Sequence, residues 1–96
     1  ENEIIYAQAD NIYAEVVTAQ GIFLYSNKIS LLEKELNEAY FYRSNRSYIV
    51  NFNYIIGYSK KEIEFSNGQK ALISSSKFKD FKSKYLNYLK RKSIGE

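Results

Sequence analysis

Two arginines separated by a serine and an asparagine, Arg43-Ser44-Asn45-Arg46, followed by Ser47, hold the densest ligand-gripping chemistry in the chain. A guanidinium presents two parallel donors to a phosphate or to the O6/N7 edge of guanine, and an asparagine amide matches adenine N6/N7 in the same two-point way. Ser44 and Ser47, with Ser74, Ser75 and Ser76 further on, are short donors of the kind that position phosphates. Lys77 follows the second serine run, and a helix starting near Ser76 would add free amides and a positive dipole end. The same residues have a purely structural use. Arg43 can pair with a glutamate of the acidic segment before it, and Asn45 can close a turn. The residue types leave both uses open.

Catalytic chemistry is poorly supplied. The 96 residues contain no histidine and no cysteine. That removes the commonest general base, the commonest metal ligand and any thiolate or disulfide site. Ser74-Ser75-Ser76-Lys77 superficially matches Ser-x-x-Lys, but a chain this short lacks the fold that motif serves. The paired carboxylates Glu33/Glu35 and Glu62/Glu64 are spaced as solvated faces. Four isolated glycines form no phosphate loop. Neither enzyme activity, nor a bound metal, nor a cofactor is expected.

Charge is distributed unevenly. Residues 1–40 carry two basic and seven acidic side chains, a net of −5, whereas residues 41–96 carry twelve basic and four acidic ones, a net of +8. Asymmetry of this kind points to a polyanionic partner for the basic half, or to a solvated lysine-rich helix at its end. No apolar run reaches the roughly 18 residues of a membrane span, and no signal peptide opens the chain. A cytoplasmic setting without membrane attachment is expected. The chain starts in a strand-like run without an initiator Met, which suggests a piece of a longer protein.

The elements that must position the basic stretch are mostly short strands. An apolar share of 45% and ten tyrosines with six phenylalanines suit one β-rich domain over residues 1–96. Ile4–Ala7 reads as a strand and Gln8–Asn11 as a polar turn. Ile12–Thr18 alternates with period two, Gln20-Gly21 reads as a tight turn, and Ile22–Tyr25 returns with Val17 opposite Leu24. Ser30-Leu31-Leu32-Glu33 has the form of a capping box that opens a short acidic helix. Tyr48-Ile49-Val50 is a strand behind the polar Arg43–Ser47 stretch, and Tyr54–Tyr58 is another. Glu62–Phe65 alternates with Ile63 and Phe65 inward. Asn67-Gly68 predicts a two-residue hairpin turn that sets Leu72 opposite Ile63. Ser74–Ser76 supply N-caps for a last helix with the apolar stripe Phe78, Phe81, Tyr85 and Tyr88 or Leu89. The tyrosine-rich composition also admits a protein-interaction module or a single-stranded nucleic-acid binder.

Phe41-x-Arg43-x-Asn45-Arg46-Ser47-Tyr48-Ile49-Val50-Asn51 resembles the signature of LytTR DNA-binding domains, Phe-x-Arg-x-His-Arg-Ser-(Tyr/Phe)-(Ile/Val)-Val-Asn. Ile5-Tyr6, the Ser30–Leu36 helix and the Ile73–Phe78 segment are similar to further pieces of that family, so the resemblance spans residues 4–89. It implies an elongated antiparallel β fold with small helices, whose loops enter successive major grooves of double-stranded DNA. It also implies the output half of a bacterial two-component response regulator, joined to a receiver domain and acting on promoter direct repeats. A dimer on DNA stays open. Carried over by position, the contacts fall on Arg43, Asn45, Arg46 and Ser47, on Ser76 and Lys77, and on Asn11 and Tyr13 of a first loop. Asn45 stands where the family has His and Ser76 where it has Arg, so base preference should differ there. Phe41, Tyr48, Ile49 and Val50 should anchor the stretch.

Overall fold

The computed structural model describes residues 3–95. β1 (Ile4–Asp10) is the central strand of a five-stranded antiparallel sheet, because it pairs on one side with β2 (Tyr13–Thr18) and on the other with β5 (Tyr48–Asn51). β3 (Gly21–Tyr25) extends the sheet beyond β2, and β4 (Phe41–Asn45) closes it beyond β5, giving the order β3-β2-β1-β5-β4. A 3₁₀ turn at Phe52–Tyr54 leads into a second sheet of β6 (Ile55–Tyr58), β7 (Glu62–Phe65) and β8 (Lys70–Leu72). Two helices complete the chain, α1 (Ile29–Glu35) and α2 (Phe78–Ser93). The long axis measures 37 Å against 28 and 26 Å.

Both faces of the large sheet are covered except along β3, and alternation along its strands sorts the side chains between them. Tyr6, Val17, Tyr42 and Val50 join Phe52, Ile63, Phe65, Phe81 and Tyr88 in the core shared with the small sheet and α2. Ala7, Ala14, Phe41 and Ile49 point the other way and meet Ile29 and Leu32 of α1. Phe41, Ile49 and Val50 are buried and Tyr48 half-buried, as the anchor reading expects. The tyrosines are largely spent on this packing. Phe52, Phe81, Tyr85 and Tyr88 form a continuous run of ring contacts, and of the ten tyrosines only Tyr13 and Tyr58 are exposed.

Several local expectations give way to tertiary pairing. Gln8 and Ala9 are strand, not turn: Gln8 is held between Glu15 and Tyr48, and the Ala9 amide donates to the Ser47 carbonyl at 2.8 Å. The actual turn is Asn11-Ile12, with Asn11 in the left-handed region at φ 60°, which asparagine tolerates. The β2–β3 turn is Ala19-Gln20, because the Thr18 hydroxyl donates to the Gly21 carbonyl and accepts from the Gln20 amide; Val17 therefore faces Ile22 rather than Leu24. The Phe65 amide donates to the Gln69 carbonyl at 2.9 Å, so three residues, Ser66–Gly68, turn the β7–β8 hairpin. Gly68, at φ 86°, donates to the Phe65 carbonyl while Asn67 stays at negative φ, so a two-residue type I′ turn does not form. One extra loop residue moves Ala71 opposite Ile63 and turns Leu72 out to solvent.

Neither helix is capped as its sequence suggests. α1 starts one residue before Ser30, behind an extended Lys28 with no side-chain cap, and Glu33 is drawn to Arg43 instead. A 3₁₀ turn at Ser75–Lys77 runs straight into α2. The Lys77 amide donates to the Ser74 carbonyl and the Phe78 amide to that of Ser75. Those backbone bonds satisfy donors that serine caps or phosphate would otherwise take. Of the predicted stripe, Phe81 and Tyr88 are buried, Phe78 and Tyr85 half-buried, and Leu89 exposed.

Candidate nucleic-acid interface

The polar half of the signature is itself a strand. Phe41 faces Asn51, Tyr42 faces Val50, Arg43 faces Ile49, and then the register slips so that Asn45 faces Tyr48. The slip falls at Ser44, and an extra residue of this kind re-aims the side chain. Ser44 is wholly buried. Its hydroxyl donates to the Leu72 carbonyl at 2.7 Å and its carbonyl accepts from the Ser74 amide at 2.9 Å. It therefore ties the β4–β5 hairpin to the second sheet and is not a phosphate donor.

The two arginines have opposite fates. Arg43 Nη1 donates to Glu33 Oε1 at 2.8 Å, its Nε to the Asn45 carbonyl at 2.9 Å, and its Nη2 to the Arg46 carbonyl. Its side chain is only 17% exposed, so the guanidinium is committed to bracing the turn. Arg46 lies at the turn itself, exposed, and its guanidinium has no partner among the described residues. Asn45 Oδ1 accepts from the Ser47 amide at 2.7 Å, which closes the turn and leaves the donors of the Asn45 NH₂ group unused among the described residues. The structural uses of Arg43 and Asn45 that the residue types allow are thus both realised, with Asn45 keeping donors in reserve.

Two further segments flank this turn. The Ser47 carbonyl accepts from Ala9, so β1 delivers the Asn11-Ile12 turn beside it, with Asn11, Ile12 and Tyr13 all exposed. On the other side, the Ser74–Ser44 bond starts the Ser74–Lys77 segment next to β4. Ser75 and Ser76 are exposed there. Lys77 leans back along β4, with its carbonyl accepting from the Tyr42 hydroxyl at 3.3 Å and its ammonium 5.8 Å from the Tyr42 ring centre. The Tyr42 hydroxyl also donates to Asp80 at 2.8 Å; burial, and then that carboxylate, push its pKa far above the ordinary phenol value. The fold thereby gathers Asn45, Arg46 and Ser47 in one turn, with Asn11 and Tyr13 to one side and Ser76 and Lys77 to the other. Arg43 serves them from behind.

Ile12 escapes a reading by alternation, which puts it on a strand face; it stands at the turn tip, 59% exposed. The tolerance of Asn11 for positive φ is the signal that locates that turn. Among the described residues no cluster of acidic side chains has metal-ligand geometry, and no helix is long and apolar enough to cross a membrane.

Comparison with known proteins bears on the same segments. The model of the LytTr DNA-binding domain family matches residues 1–86. A solved structure from Bacillus cereus, described as the LytTr DNA-binding domain of a methyl-accepting/DNA response regulator, superposes with a TM-score of 0.75. It is 22% identical, and the match covers 88% of this chain and 82% of that one; at that identity the likeness speaks for the fold. No curated protein matches the sequence.

Proposed function

The chain belongs to the LytTr DNA-binding domain family, and from that premise we propose that it reads specific double-stranded DNA sequences to regulate transcription. In this reading the β4–β5 turn enters a major groove, with the exposed Arg46 guanidinium paired to a guanine edge and the Asn45 NH₂ and Ser47 hydroxyl donating beside it. The Asn11-Ile12 turn with Tyr13 lies on one flank. Ser76 and Lys77 hold phosphates on the other, Lys77 as a point charge. Arg43 acts through the turn it braces. The observation that carries the reading is the contrast between the arginines: one is consumed internally so that the other is displayed, on a turn flanked by two more exposed polar segments.

A receiver domain joined to this chain would make it the output half of a response regulator in the bacterial cytoplasm, acting on promoter direct repeats. The β-rich domain has its own two-layered core, which supports independent folding of residues 1–96; residues 1, 2 and 96 lie outside those described. The test is a selection of bound duplexes from a random pool, followed by titration of selected and random duplex at two salt concentrations. Specific binding with a steep salt dependence supports the reading, and Lys77→Ala should weaken both duplexes while lowering the salt slope by about one. Equal affinity for every duplex, or tighter binding of single strands, would overturn it.

A further inference from the structure

An acidic helix repels a polyanion, yet α1 is tied to the turn proposed to read DNA. Glu33 Oε1 accepts from Arg43 Nη1 at 2.8 Å, and the same guanidinium donates to the Asn45 carbonyl and the Arg46 carbonyl. A guanidinium is planar and its donors have fixed relative directions, so clamping one edge on a carboxylate fixes where the others point. The peptide units held in this way are those of the two residues proposed to face bases. Their side-chain directions follow from those backbone positions. Glu33 is ten residues upstream on another element, its side chain is 46% exposed, and among the described residues its carboxylate bonds no other part of the turn.

We propose that Glu33 is a positioning residue for DNA recognition: its carboxylate orients Arg43, and Arg43 holds the Asn45–Arg46 backbone in the reading conformation. The proposal rests on the DNA reading above and adds a sign that bulk electrostatics does not give. Removing a negative charge from a protein near phosphates ordinarily strengthens its binding, most of all to random sequence. Here the same removal weakens binding to the correct sequence. An ordinary surface ion pair has little effect on folding, so Glu33→Gln, which keeps the side chain's shape but gives up the charge that clamps the guanidinium, leaves the domain folded.

The experiment measures dissociation constants of the wild-type chain, Glu33→Gln, Arg43→Lys and the double variant on a duplex selected by the wild type and on random duplex. Thermal unfolding of each variant runs alongside. Glu33→Gln should lose roughly fivefold to tenfold on the selected duplex, within the range of one good base contact, while random duplex binds as before or more tightly. In the Arg43→Lys background, which has already lost the fork, Glu33→Gln should cost nothing further. Unchanged or tighter binding of Glu33→Gln to the selected duplex would overturn the proposal. So would an equal loss on both duplexes, or a full loss repeated in the Arg43→Lys background. Failure of the wild type to prefer any duplex would instead remove the DNA reading itself.

Discussion

The two outer strands of the large sheet are built on opposite plans. β4 is bound on its open side: Ser74 donates to the Ser44 carbonyl, the Tyr42 hydroxyl reaches Asp80, and Arg43 is locked onto Glu33. β3 has its ladder to β2 and, at its last residue, the Tyr25 hydroxyl donating to Glu35, while Ile22, Phe23 and Leu24 stand exposed along it. Edge strands are normally blunted by charge, bulges or covering segments. β4 has all three, and the Ile22–Leu24 stretch of β3 has none. Under the proposed reading, the geometry used for recognition lies where the backbone is most heavily tied, and the open edge should tolerate change.

Substitutions graded along this contrast should break it in order. The largest effect belongs to Arg46→Ala, expected to cost about 1–3 kcal/mol on selected DNA and to relax preference at one base position, without change in unfolding temperature. A loss of stability instead would mean that Arg46 is part of the β4 scaffold. Ser44→Ala comes next. It deletes a donor buried against the Leu72 carbonyl, at about 1–2 kcal/mol, which lowers the midpoint of thermal unfolding by several degrees in a domain of this size.

Tyr42→Phe tests the same edge through pH. The folded pKa of Tyr42 is raised by burial and by Asp80, so the folded chain keeps a proton that the unfolded chain releases. Its stabilisation is complete below the ordinary phenol pKa of about 10 and declines as pH rises beyond it. Unfolding temperatures followed from about pH 8 to about pH 11 should fall above pH 10, less steeply in Tyr42→Phe. Some alkaline loss should persist in that variant, because burial raises the pKa of Tyr6 and Tyr85 too. The smallest effect is expected for Leu24→Lys on β3, within about 0.5 kcal/mol in stability and silent in DNA titrations. Strong destabilisation there would show that the open edge is as constrained as its counterpart.

Much of the fold is legible in local pattern where burial decides the outcome. Alternation finds β7 with Ile63 and Phe65 inward, and spacing finds the Phe81–Tyr88 face of α2. What escapes is set by small differences in turn geometry or by partners distant in sequence. Asn67-Gly68 marks a turn correctly but not its length, and one residue of length decides whether Ala71 or Leu72 is buried. Ser30 and Ser76 suit helix caps, yet the packing of Ile29 and the 3₁₀ turn before Phe78 settle where the helices start. In the candidate interface, Arg43 and Arg46 are equivalent by type. Glu33 separates them; the sequence allows Arg43 a glutamate from the acidic segment, but which glutamate reaches it is set by the packing of α1 on the sheet.

The inward turn of Ser44 carries a geometric consequence. Both its hydroxyl and its carbonyl are fastened to the chain that runs from β8 into α2. The Asn45–Ser47 turn and the Ser76–Lys77 segment are therefore jaws of a calliper with a fixed gap. Under the proposed reading, a base pair inserted between the positions touched by the two jaws cannot be accommodated by the protein. The duplex must over- or under-twist to bring them back into phase.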